Sequence, residues 1–140
     1  MRSKAPLALM EQLVMVLVFA VAGVLCLRIF VTADKLSEKY AATDSAVIWA
    51  QTAAEIMKSD DAAVHFSQLG AKEYADGWQL HLDENWNTAA GENAYRLVAS
   101  YEDTGSDFLW RAEVSVFTAE GELLFSIPVS GQNEVGGDRP

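Results

Sequence analysis

Glu11 is the residue whose setting most needs a chemical explanation. It stands in Leu7–Val31, LALMEQLVMVLVFAVAGVLCLRIFV, where Leu13–Leu27 run for fifteen residues without a charged side chain. A stretch of that length and character is about what crosses a bilayer. A carboxylate inside it is costly to bury, which makes it a candidate for a functional role. Its position near one end leaves a plainer alternative, a carboxylate wetted by the interface. Other chemistry-bearing residues are sparse: two histidines, His65 and His81, and one cysteine, Cys26, inside the apolar stretch. A Cys–His pair outside that stretch, an intrachain disulfide and a cysteine zinc site are therefore excluded. No HExxH, GxSxG or glycine-rich phosphate loop occurs. Neither a catalytic residue nor a cofactor is expected. Asp83, Glu84 and Asn85 group hard oxygen donors of the kind calcium takes, but acidic turns are common in so acidic a chain, and no metal is expected.

The chain has 140 residues and a formal net charge of −10. Residues 32–140 hold seven Lys or Arg against nineteen Asp or Glu. With no basic stripe, direct nucleic-acid binding is not expected. Arg2 and Lys4 precede the apolar stretch and acids dominate after it. The positive-inside rule therefore places the N-terminus in the cytoplasm and the C-terminal part outside, with a single pass through the cytoplasmic membrane. Ala20-Val21-Ala22 also fits a signal-peptidase site, but cleavage there would leave Gly23–Leu27 as a dangling apolar end.

Residues 1–6 form a basic leader. From Leu7 to Lys58 nothing breaks a helix. Residues 7–31 read as its transmembrane half and residues 32–58 as an amphipathic half. Leu36, Tyr40, Thr43, Val47, Ala50, Ala54 and Met57 form one apolar stripe there. Two helices with a hinge at Thr32-Ala33-Asp34 are the alternative, since Asp34 suits a helix cap. Residues 59–77 hold a short helix, about Ala62–Ala71, and a turn at Ala75-Asp76-Gly77. Residues 78–130 carry four runs of alternating character, an antiparallel meander with one buried face. Its inward phase is Trp78, Leu80, Leu82; Tyr95, Leu97, Ala99, Tyr101; Trp110, Ala112, Val114, Val116; and Leu123, Phe125, Ile127, Val129. Pro128 marks an edge strand or a strand end. Residues 131–140 read as a disordered tail. Trp78 and Trp110 suit the core, whereas Trp49 and Trp86 are candidates for exposed partner contacts. The class is α+β: a long helix packed on a four-stranded antiparallel sheet.

Leu7-Ala8-Leu9-Met10-Glu11, followed by Gln12-Leu13-Val14-Met15-Val16, resembles the mature N-terminus of type IV pilins and type II secretion pseudopilins. Leu7 takes the place of the family's first mature residue and Glu11 that of its glutamate. The resemblance implies a pilin-like fold and a membrane-anchored minor pilin or pseudopilin of a pilus, secretion or DNA-uptake filament. Its partners would be membrane lipid, other pilin-like subunits and a prepilin peptidase. Glu11 and Leu7 would serve assembly, with Ala20, Ala22 and Gly23 allowing close helix approach. Pro6 stands where the family's leader has glycine, so the Pro6–Leu7 processing site departs from the pattern. The competing expectation is a single-pass anchored binding or sensor domain that does not polymerise.

Overall fold

The computed structural model describes residues 4–90 and 93–132. Helix α1 covers Ala5–Lys58 and is followed by a second helix, α2 (Ala62–Gln68). Five strands follow: β1 (Lys72–Tyr74), β2 (Gly77–Leu82), β3 (Tyr95–Glu102), β4 (Leu109–Thr118) and β5 (Leu123–Gln132). The chain falls into two compact units, Met1–Tyr40 and Ala41–Pro140.

In the first unit the described residues are helical from Ala5, and every one of them is solvent-exposed. The helix passes through Thr32–Asp34 without interruption, and Thr32 Oγ1 donates to the Arg28 carbonyl at 2.9 Å. The helix thus has no hinge there. Proline is tolerated at Pro6 because the first-turn amides of a helix have no partner to lose.

In the second unit the sheet is fully antiparallel with strands in chain order, β1 to β5. Among the described residues it has five strands where four were expected. The extra one, β1, pairs Tyr74 with Gly77 across Ala75-Asp76, so the expected turn closes a short hairpin. The Asp76 carbonyl also accepts from the Tyr101 amide at 2.7 Å, tying that hairpin to β3.

One face of the sheet is buried in ladder order. Leu80, Leu97, Val116 and Phe125 form one cross-strand row, and Trp78, Ala99, Val114 and Ile127 the next. Ala46, Ala50, Ala53, Ala54 and Met57 of α1 share a single core cluster with Phe66 and these strands. The stripe differs from the expected one. Leu36 and Tyr40 are exposed, while Ala46 and Ala53 are buried. Alanines have no bulk beyond Cβ, so their face of the helix can approach the pleated sheet closely and still pack densely.

A bulge in β5 changes one further assignment. Val116 pairs with Phe125, but Phe117 pairs with Leu123, which leaves Leu124 as the extra residue. A bulge shifts the side-chain phase by one. Leu124 therefore packs against the core and Leu123 is 52% exposed. Gly131 and Gln132, expected in the tail, belong to β5; residues 133–140 of that tail, residues 1–3 of the leader and residues 91–92 of the loop after β2 lie outside the described residues.

Candidate functional site

Two places hold the residues singled out by sequence: the N-terminal helix and the loop after β2. On the helix, Leu7, Leu9, Met10 and the large apolar residues from Leu13 to Val31 are between 50% and 83% exposed. This helix is long and apolar enough to cross a membrane. Helical geometry sorts the expected assembly residues by face. Ala22 lies eleven residues beyond Glu11, about 20° round the axis, and Leu7 one turn before it, so these three share a side. Ala20 is about 180° away and Gly23 about 120° away. Nothing stands within 4 Å of a Cβ built at Gly23. The candidate residues are therefore not one patch. Glu11 and Ala22 belong to one seam, Ala20 and Gly23 to others. Pro6 and Leu7 lie inside the first turns, and the Ala8 amide bonds the Lys4 carbonyl at 3.2 Å across them.

In the loop after β2, Asp83 organises the backbone. Its Oδ1 accepts from the Asn85 amide at 2.8 Å and the Asn87 amide at 2.9 Å. Trp86 sits between them at φ 63°, a conformation that side chains other than glycine adopt rarely. It is held there by stacking on Tyr95, with ring centroids 3.9 Å apart. Trp49 of α1 donates Nε1–H to the Trp86 carbonyl at 3.1 Å. Trp49 and Trp86 are thus half-buried, packed on the core and bonded to each other, and do not form an exposed contact surface. Trp49→Phe removes the hydrogen bond and is expected to cost about 1 kcal/mol. Chemical denaturation of the two proteins side by side checks this. Trp78 and Trp110 pack against the core as expected.

Asp83, Glu84, Asn85, Tyr95, Thr118 and Glu120 also line an open depression of about 880 Å³. Asp83 already spends one carboxylate oxygen on two amides. Among the described residues, no three His, Cys, Asp or Glu side chains are grouped to hold a metal.

His81 lies on the outer face of the sheet, opposite Arg96 in the ladder. Its Nε2 is 3.3 Å from Gln79 Nε2, and its Nδ1 is buried without a partner. Desolvation lowers its pKa below the usual 6.5, and the charges of Lys72 and Arg96 lower it further. The unfolded chain therefore takes up a proton at His81 before the folded one does. The stability tied to His81 is full above pH 6.5, falls as the pH drops through that value, and levels off below the folded-state pKa. His81→Gln is expected to flatten this part of the pH–stability curve, as read by thermal melts between pH 5 and 8. His65 is exposed in α2.

No protein-family model, characterised protein or solved structure matches this chain.

Proposed function

We propose that this chain is a membrane-anchored structural subunit of the minor pilin or pseudopilin kind, assembling side by side with similar subunits through its N-terminal helix. One observation carries the reading. The helix presents an apolar surface on all sides from Leu7 to Val31, interrupted by charge only at Glu11 near its start and Arg28 near its end. Between lipid-exposed helices the hydrophobic effect supplies little association, so packing at small residues and polar pairing must supply it. Glu11 meets this need by pairing with a cation of a neighbour: the new N-terminal amine if the leader is removed, or Lys4 or Arg2 if it stays. The Glu11–Ala22 seam then sets the axial register. The N-terminus is cytoplasmic and residues beyond about 32 are outside. The work of the outer domain is contact rather than catalysis.

Glu11→Ala is the test. Co-purification of neighbouring subunits from the membrane is expected to fall at least about tenfold, the scale of losing a pairing worth roughly 1.4 kcal/mol, while membrane retention stays unchanged. Unchanged co-purification would sink the proposal in favour of a single-pass anchored binding domain. The N-terminal mass identifies the cation: a chain beginning at Leu7 provides an amine, whereas one beginning at Met1 leaves Lys4 and Arg2.

A further inference from the structure

The outer face of the sheet, opposite the one packed on α1, differs in charge from the rest of the second unit. The Lys and Arg residues between 41 and 132 are Lys58, Lys72, Arg96 and Arg111. Ladder register puts the last three on the outer face, together with His81. Glu102 and Glu113 are the acids there, Glu102 opposite Arg111 and Glu113 accepting from Ser126 Oγ. Between the ends of this face, Val98 and Ser100 on β3, Ser115 on β4 and Ser126 on β5 are small or half-buried, while Glu113 and, on β1, Lys72 are exposed. Arg96 lies over the Phe117 ring, 5.4 Å from its centroid, which fixes the guanidinium at one end of the face. Arg111 is exposed at the other end.

The outward side of α1 is the complement. Asp44, Ile48, Gln51, Thr52 and Glu55 are all exposed and fall within about 100° of one another on the helix, opposite the buried alanines. Ile48 is 63% exposed. It stands one turn from Asp44 and two turns from Glu55.

We propose that the outer face of the sheet receives residues 44–55 of α1 from a second copy of this chain. The spacings agree. Asp44 and Glu55 are about 16 Å apart along a helix rising 1.5 Å per residue. The ladder row of Arg96 and the row of Arg111 are six residues apart, about 20 Å along the strands, a difference that arginine side chains span. With Asp44 at Arg96, Ile48 falls about 6 Å along, over Val98 and Ser115, whose row is about 7 Å along. Gln51 and Thr52 then meet Ser100 and Glu113, and Glu55 meets Arg111. The two patches differ, so the contact is head-to-tail and propagates along a row of subunits instead of closing a dimer. A chain of net charge −10 repels its own copies over most of its surface, and this pairing joins its least acidic face to an acidic one. The contact uses only residues 41–132 and does not depend on the Glu11 pairing.

The test uses the full chain in its membrane with Cys26→Ala, Ile48→Cys and Ser115→Cys. Within one copy these two positions lie on opposite sides of the helix–sheet sandwich, so any disulfide joins two copies. Mild oxidation is expected to give dimers and a ladder of higher species, and each single-cysteine chain none of the ladder. Adding Arg96→Glu and Arg111→Glu is expected to reduce the ladder roughly tenfold, as like charges meeting at a contact do. Adding Asp44→Lys and Glu55→Lys as well is expected to restore it. Absence of a ladder would overturn the proposal. So would a ladder indifferent to the arginine changes, or a loss that the helix changes fail to restore in protein of unchanged melting temperature. Persistence of the ladder in Glu11→Ala would separate this contact from the helix pairing in the membrane.

Discussion

Gly77→Ala is expected to destabilise the second unit by about 3 kcal/mol, through a strained backbone and a backbone clash together. Gly77 has φ 153° and pairs on one side with Tyr74 and on the other with Ser100. A Cβ there would run into the Ala99 carbonyl oxygen and lie 2.9 Å from both the Ala99 carbonyl carbon and Ser100 Cα. All three atoms are main chain, so no side chain can swing away. Either β2 separates from β3 or the hairpin opens, and Tyr101 then loses its bond to Asp76. Melting of the full chain in detergent is expected to shift down by more than about 10 °C. Gly121→Ala is the comparison. Its φ is 88°, but nothing stands within 4 Å of the added carbon, so its cost is confined to the turn, about 1 kcal/mol. Equal losses in the two variants would show that β2 and β3 are not so close at Gly77.

Phe66→Ala is expected to cost about 3–5 kcal/mol. Helix α2 has seven residues and no side-chain cap, far too short to hold together alone. Its buried residues are Ala62 and Phe66. The Phe66 ring is 1% exposed and stacks on Trp78 at 5.4 Å. Truncation leaves a cavity under the helix and removes what attaches it. Two readouts should therefore move together: the denaturation midpoint falls, and amides of residues 62–68 exchange with solvent far faster than those of β3. A fall in stability with α2 still protected would mean that Ala62 and the flanking turns hold it.

The strands were legible where one phase is apolar and the other polar. Leu80–Leu82, Leu97–Ala99 and Ala112–Val116 have the expected side inward for that reason. The signal fails where both phases are apolar. Leu123-Leu124-Phe125 reads equally well in either register, and the bulge that exposes Leu123 leaves no mark in composition. Strand β1 was missed because Lys72-Glu73-Tyr74 is exposed throughout and alternates nothing; the Asp-Gly pair behind it was the available hairpin signal. In α1, helical spacing found Ala50, Ala54 and Met57 but carried the stripe on to the exposed Leu36 and Tyr40 and passed over Ala46 and Ala53, whose small side chains also meet the core. The membrane candidate was legible outright, since fifteen residues without a charge need no register. The sharing of a side by Glu11 and Ala22 follows only once the helix is continuous between them. The Trp49–Trp86 bond joins residues 37 apart and has no local trace.

The borders of the sheet bear on how the protein behaves when concentrated. An open strand offers a row of unsatisfied amides and carbonyls, the template on which misassembled fibrils grow. One border, β1, is three residues long and carries Lys72 and Glu73, too short and too charged to recruit a foreign strand. The other, β5, is ten residues long and more dangerous, but Pro128 removes an amide near its centre and the irregularity at Leu124 bends its start. Both borders are blunted by different means, so copies at high concentration can touch without zipping their sheets together. Pro128→Val would restore the missing donor, and turbidity on prolonged storage is where its loss would show.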